Sequence, residues 1–149
     1  MPFLILMAVF SSFFVSCSGD RPQDLGVQNG HLKGCPPSPN CVSTTAVDEK
    51  HKIDPINVPS DMMMARKKIE KILNETTNAK IIDKNENYFQ VEYTSKLLRF
   101  VDDVELFLDE KEKKIQMRSS SRLGHSDFGV NRSRLENIRF QFHQMGNLP

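Results

Sequence analysis

Apolar positions along this 149-residue chain fall into distinct regimes. The first is continuous: MPFLILMAVFSSFFVS carries no charge, and polar residues take over from Cys17. From Ser18 to Pro59 no sustained period exists, and Pro36, Pro37, Pro39, Pro55 and Pro59 exclude helix and central strand there. From Asp61 to Asn74 the spacing turns helical: Met63, Ala65, Ile69, Ile72 and Leu73 share one side, while Arg66, Lys67, Lys68, Glu70 and Lys71 share the other. Ser60, after Pro59, is placed to cap that helix, and the Met62-Met63-Met64 run reads as core filler at its start. Ile81-Ile82, Tyr88 to Tyr93, Leu97 to Leu108 and Lys114 to Arg118 then read as strands, separated by turn residues such as Asn85, Asn87 and Asp109-Glu110. Leu135, Ile138, Phe142 and Met145 make a final helical stripe, with Ser133 and Glu136 at capping-box spacing. The predicted fold is α+β: a helix, a four-stranded antiparallel meander and a C-terminal helix, preceded by an irregular proline-rich arm.

The opening segment sets the expected location. As a helix, Phe3 to Cys17 would span about 22 Å, short of a ~30 Å hydrocarbon core, which suits the apolar region of a signal peptide. Phe14-Val15-Ser16-Cys17 resembles a bacterial lipobox, although Phe stands where Leu is usual and no Lys or Arg precedes the apolar run. We therefore expect a signal peptide over 1–16, a tether over 17–30 and one domain over 31–149, exported and lipid-anchored at Cys17 in the cell envelope. That would be the outer membrane if the source has one. An ordinary cleaved signal and an uncleaved short anchor are the alternatives.

With Cys17 lipidated, Cys35 and Cys41 remain as a pair in an oxidising compartment. The expectation is a disulfide closing a small proline-bent loop, stabilising by about 2 kcal/mol. The alternative is a metal site on His31, Cys35, Cys41 and His51, whose spacing offers one ordinary zinc-ligand pair, His31 and Cys35. No metal or other cofactor is expected.

A net charge of +1 argues against a dedicated nucleic-acid partner. The charge is nonetheless segregated, with six acids between Asp102 and Glu112 and five arginines between Arg118 and Arg139. The stretch RSSSRLGHSDFGVNRSR, Arg118 to Arg134, holds four arginines beside three bulky apolar residues. Arginines cannot be buried unpaired, so the tract must be an organised polar site, either a salt-bridge hub or a ligand pocket. Strand alternation puts Asp102 in a row with Phe100, Val104, Leu106 and Leu108, and Asp103 with Glu105 on the wetter side. Asp102 then needs a cation, and Arg118 or Arg122 is the nearest supply in sequence. The tract also leads into the N-terminus of the last helix, whose amides suit an anion unless Asp127 or Asn131 caps them. Ser126, His125 and Asp127 are neighbours and cannot form a triad.

Three stretches carry a family resemblance: LGVQNGHLKGCPPSPNCVST (Leu25–Thr44), FVDDVELFLD (Phe100–Asp109) and RSSSRLGHSDFGVNRSRLENIR (Arg118–Arg139). In this order they resemble the bacterial and plastid family called domain of unknown function 1499. The resemblance implies a small exported or membrane-associated domain, and no activity, substrate or cofactor. It points to Cys35, Pro39, Asn40, Cys41, Asp102, Asp103, Arg118, Ser119, Ser121, Arg122, Gly124, Ser126, Asp127, Gly129, Asn131 and Arg132. Ser120 and His125 depart from the family's small apolar and aromatic residues.

Three functional readings follow. In the first, an envelope lipoprotein domain binds an anionic or polyhydroxyl component, or a protein partner, through Asp102, Arg118, Ser119, Ser121, Arg122, Ser126, Asp127, Asn131 and Arg132. In the second, a hydrolase or transferase acts on phosphate- or sugar-containing envelope substrates, with Asp102 or Asp127 as acid/base and arginines stabilising charge. In the third, the tract is purely structural and welds the last strand to the last helix.

Overall fold

The computed structural model describes residues 18–59 and 61–146. The proposed signal peptide, Cys17 and the expected cap Ser60 lie outside the described residues. Eight elements follow in chain order: β1 (Cys41–Ser43), β2 (Ile56–Asn57), α1 (Met62–Glu75), β3 (Ala79–Lys84), β4 (Tyr88–Thr94), β5 (Val101–Asp109), β6 (Lys114–Ser121) and α2 (Val130–Gln144). All strands pair antiparallel in one sheet of order β1-β6-β5-β4-β3, with β2 also on the outer edge of β6. The α+β class and the β3–β6 meander match expectation. The sheet, however, has six strands rather than four, because the proline-rich arm supplies β1 and β2. Prolines exclude central strands but permit short edge pairing, and Cys41-Val42-Ser43 pairs with Ser120, Ser119 and Arg118.

One face of the sheet carries the apolar core. Phe89 and Val91 of β4, Val104, Leu106 and Leu108 of β5, and Ile115 and Met117 of β6 meet Ile69, Ile72 and Leu73 of α1 and Leu135, Ile138 and Phe142 of α2. Each such side chain stabilises the fold by about 1.5–3 kcal/mol relative to leaving it wet. The helix α1 begins where Asp61 accepts the Met63 amide at 2.8 Å. That start buries Met62 and exposes Met63, the reverse of the expected phase. The expected strand from Leu97 instead begins at Val101. Arg99 adopts a left-handed φ of 58°, which turns the chain and leaves Leu97, Leu98 and Phe100 exposed.

The other face is polar yet covered. Every residue from Val101 to Leu108 is buried, so β5 is enclosed on both sides. The cover is the segment expected to be a free tether. The Gly26 amide donates to Glu105 Oε1 at 2.7 Å, Arg21 reaches Glu92 at 2.7 Å, and Leu32 packs with Tyr88 and Phe107. It docks through hydrogen bonds and ion pairs with few apolar contacts, so a hydrophobic pattern could not reveal it. Among the described residues, no helix is long and apolar enough to cross a membrane.

Candidate functional site

Cys35 and Cys41 are bonded to each other, with Cα atoms 5.6 Å apart. Their thiols are therefore spent, which removes the metal alternative. His51 instead braces the loop: Nδ1 lies 2.7 Å from Asp48 Oδ1, and Nε2 lies 3.1 Å from the Ser38 carbonyl. The His51 hydrogen bond holds the Asp48 carboxyl below its usual range. Asn40 carries the loop onto the arginine tract by donating to the Gly124 carbonyl at 2.6 Å. Among the described residues, no group of three His, Cys, Asp or Glu side chains is placed to hold a metal ion.

The tract divides between the two faces of the sheet because β5 and β6 alternate in register. On the helix-covered face, Asp102 pairs with Ser121 and Val104 with Ser119. Asp102 is buried there as expected, but its cation is neither Arg118 nor Arg122. Those two stand on β6 and just after it, and both project to the opposite face. The partner is Arg134 of α2, whose Nη2 donates to Asp102 Oδ2 at 2.6 Å. Arg134 also lies over the Tyr93 ring, 4.7 Å from its centroid.

Asn131, with no exposed surface, is the node of this face. Its Oδ1 accepts from Ser119 Oγ and from Arg134 Nη1, and its Nδ2 donates to the Asn40 carbonyl at 3.0 Å and to Ser121 Oγ at 2.9 Å. An amide offers two donor hydrogens and two acceptor lone pairs, and here all four are used.

The opposite face holds a second network. Arg122 forks onto Asp103, with Nε to Oδ2 at 2.8 Å and Nη2 to Oδ1 at 2.7 Å, and also bonds Glu92. The hydrogen bonds that Arg122 donates to Asp103, and then to Glu92, push its guanidinium further up, against the effect of burial. Arg118 donates to Glu105 Oε2 at 3.2 Å, and Glu105 Oε1 also accepts the Tyr88 hydroxyl at 2.9 Å. Burial first, and then the Glu105 charge, push the Tyr88 phenol well above its usual value, so it remains a donor. Glu105 is fully enclosed, not on a wetter side as alternation suggested. Charge balance explains the reversal: Asp103, Glu105 and Glu92 meet Arg122, Arg118 and Arg21, three anions against three cations.

Glu92 gives this face an acid limit. Burial works to raise its carboxyl, but hydrogen bonds from Arg122 and Arg21 outweigh that and hold it below its ordinary 4.5. A depressed folded-state value contributes stability that is fully present above about pH 4.5 and is lost as pH falls through the lower folded value. Glu92→Gln should therefore cost stability at neutral pH, and that cost should shrink below pH 4.5. Urea midpoints measured across that window check it.

The remaining expected residues lie apart. Asp127 accepts the Gly129 amide at 3.0 Å and the Asn131 amide at 2.8 Å, so it caps α2 and occupies the anion position. Ser133, expected in a capping box, lies instead within the first turn of α2 and donates its amide to the Gly129 carbonyl. Ser126 bonds only locally, to the Phe128 amide. Arg132 donates to the Lys52 and Lys50 carbonyls at 2.7 and 3.0 Å on the surface. Both carbonyls can return to water, so Arg132→Ala should leave the melting temperature within about 2 °C, a loss of about 0.5 kcal/mol or less in thermal unfolding.

Arg134 also lines an open cleft of 360 Å³ between α2, the end of β4 and the end of α1. The amides of Asn78, Asn137 and Gln141 and the hydroxyls of Thr76 and Ser133 line it. Two rings complete it: Tyr93 at the floor, and Phe128 at the rim, 97% exposed on a left-handed φ of 53°. None of the nine ligand-binding residues expected from sequence lines this cleft. Arg134 was the legible omission, because it sits three residues after Asn131 and so on the same helical face.

A family model described as protein of unknown function (DUF1499) matches residues 31–142. The chain belongs to that family. Comparison with curated proteins and with solved structures found no match.

Proposed function

We propose that this family member is a non-catalytic cell-envelope domain, exported and anchored through Cys17, that binds a neutral polyhydroxyl ligand such as a sugar in the α2–β4 cleft. The observation that carries the reading is a division of labour. Arg118, Arg122 and Arg134 are each tied to a carboxylate of the domain; Arg134 borders the cleft with its charge met by Asp102, and beside it the cleft presents side-chain amides, hydroxyls and two rings. Sugar hydroxyls donate and accept at once, and Asn and Gln side chains answer both roles. The apolar C–H face of a sugar packs on an aromatic ring, for which Phe128 stands ready at the rim. An acid/base role has less support: Asp102 is tied to Arg134 and does not line the cleft, and Asp127 spends both oxygens on α2.

The test is retention of the full chain, in detergent, on an array of neutral, sulfated and phosphorylated glycans. We expect retention on neutral glycans that holds as salt rises from about 0.05 to 0.5 M, since no ion pair is involved. Phe128→Ala combined with Asn137→Ala should reduce it roughly thirtyfold, the loss of one ring contact and one hydrogen bond at about 1 kcal/mol each. Retention confined to charged glycans and abolished by salt would return the site to the arginines. No retention at all would leave the tract as a weld alone.

A further inference from the structure

Among the described residues, an exposed aliphatic pair lies at one end of the sheet, in the turn between β4 and β5. Leu97 is 88% exposed and Leu98 59%, with Phe100 and Leu123 also open to solvent. The turn is built rather than loose. Ser95 closes it twice, its amide donating to the Phe100 carbonyl at 2.8 Å and its hydroxyl accepting the Phe100 amide at 2.9 Å. Lys96 and Arg99 flank the adjacent leucines in Lys96-Leu97-Leu98-Arg99-Phe100, so the tip is apolar with a cation on either side.

What could cover this tip is indicated by where the chain enters the fold. Gly19 lies against the same end: a Cβ placed on it would come within 3.0 Å of Arg122 Cβ and 3.1 Å of Leu123 Cγ. Arg122 in turn donates its amide to the Val101 carbonyl, at the base of the turn. Cys17 precedes Gly19 by two residues, and the uncharged apolar run Phe3 to Ser16 precedes Cys17. The point at which the chain passes into its apolar N-terminal segment and the exposed tip therefore share one edge of the domain.

We propose that this edge docks on a phospholipid bilayer, with Leu97, Leu98 and Phe100 entering the headgroup boundary and Lys96 and Arg99 meeting anionic headgroups. The physics is that of interfacial anchors: apolar side chains reach the acyl boundary while basic residues remain among phosphates. A lipid anchor on Cys17 would hold the domain at the bilayer, and an apolar-and-basic contact on the same edge would fix its orientation there. This inference rests on the anchored reading above. The sugar-binding cleft does not enter into it.

The chain contains no tryptophan, so one introduced residue reports alone. Leu98→Trp and, as a control at a site 96% exposed on another loop, Val47→Trp would be made in the full chain. Each is reconstituted into vesicles of phosphatidylethanolamine and phosphatidylglycerol with brominated acyl chains. Flotation reads anchoring, and quenching reads docking. We expect both variants to float, with emission from position 98 blue-shifted and quenched about twofold or more, as for a ring at the interface. Position 47 should be unquenched, and adding Leu97→Glu should return position 98 to the behaviour of position 47. Flotation with position 98 unquenched overturns the docking edge and leaves the anchor standing. A blue shift without quenching overturns it too, by showing that a second copy covers the tip. Failure to float removes the anchored reading and the docking with it.

Discussion

Arg122→Ala is expected to lower the unfolding free energy by about 3–5 kcal/mol, a large part of the 5–15 kcal/mol that holds a small domain together. The substitution leaves two carboxylates without their cation: Asp103, buried against the sheet, and Glu92, left with Arg21 alone. Water cannot reach Asp103 to compensate, because residues 19–32 cover that face. Arg122→Lys should recover only part of the loss. One ammonium cannot reproduce the planar fork that meets both Asp103 oxygens and still reaches Glu92. Urea unfolding of the three proteins side by side gives the comparison.

Glu105→Leu is expected to be as damaging, for the opposite reason: it strands a cation. Arg118 would remain buried with no carboxylate, and its Nε already lacks a hydrogen-bond partner. The Tyr88 hydroxyl and the Gly26 amide lose their acceptor in the same step. A loss of about 3–5 kcal/mol follows from removing one side of a buried pair. Replacing both partners, Glu105→Leu with Arg118→Met, should recover much of it, since an apolar pair of similar volume carries no desolvation cost. Gly26 should then report separately. With its acceptor gone the covering segment should loosen, seen as faster amide exchange over residues 19–32 in both the single and the double variant.

These two residues also mark where the sequence was legible and where it was not. Period alone located α1, the β3–β6 meander and α2, because burying one face of each element imposes its spacing on the chain. It placed Asp102 correctly on the apolar row. It misplaced Glu105 and Asp103, since alternation separates apolar from polar but cannot tell solvent from a second, ion-paired interior. Arg118 and Arg122 were read as partners of Asp102 because they are near in sequence. Strand alternation sends them to the other face, and the turn of α2 brings Arg134 to Asp102 instead. The edge strands β1 and β2 were hidden by their length, three and two residues. The cover formed by residues 19–32 was hidden by its chemistry, being held by a backbone amide and an arginine. The cleft was the least legible of all, because Asn78, Tyr93, Phe128 and Asn137 come from four separate parts of the chain.

The central claim is that Arg118, Arg122 and Arg134 are clamped on carboxylates of the domain and hold the fold together, leaving ligand recognition to the amides, hydroxyls and rings of the cleft. Hydrogen exchange of arginine guanidinium protons, read in one nitrogen-resolved NMR spectrum of the unaltered chain, tests this most directly. The account predicts that protons of Arg122 and Arg134, clamped on Asp103 and Asp102, remain visible and exchange far more slowly than those of free arginine. Exchange of both at the rate of free arginine would contradict it, and would return these side chains to the surface as the ligand-binding groups.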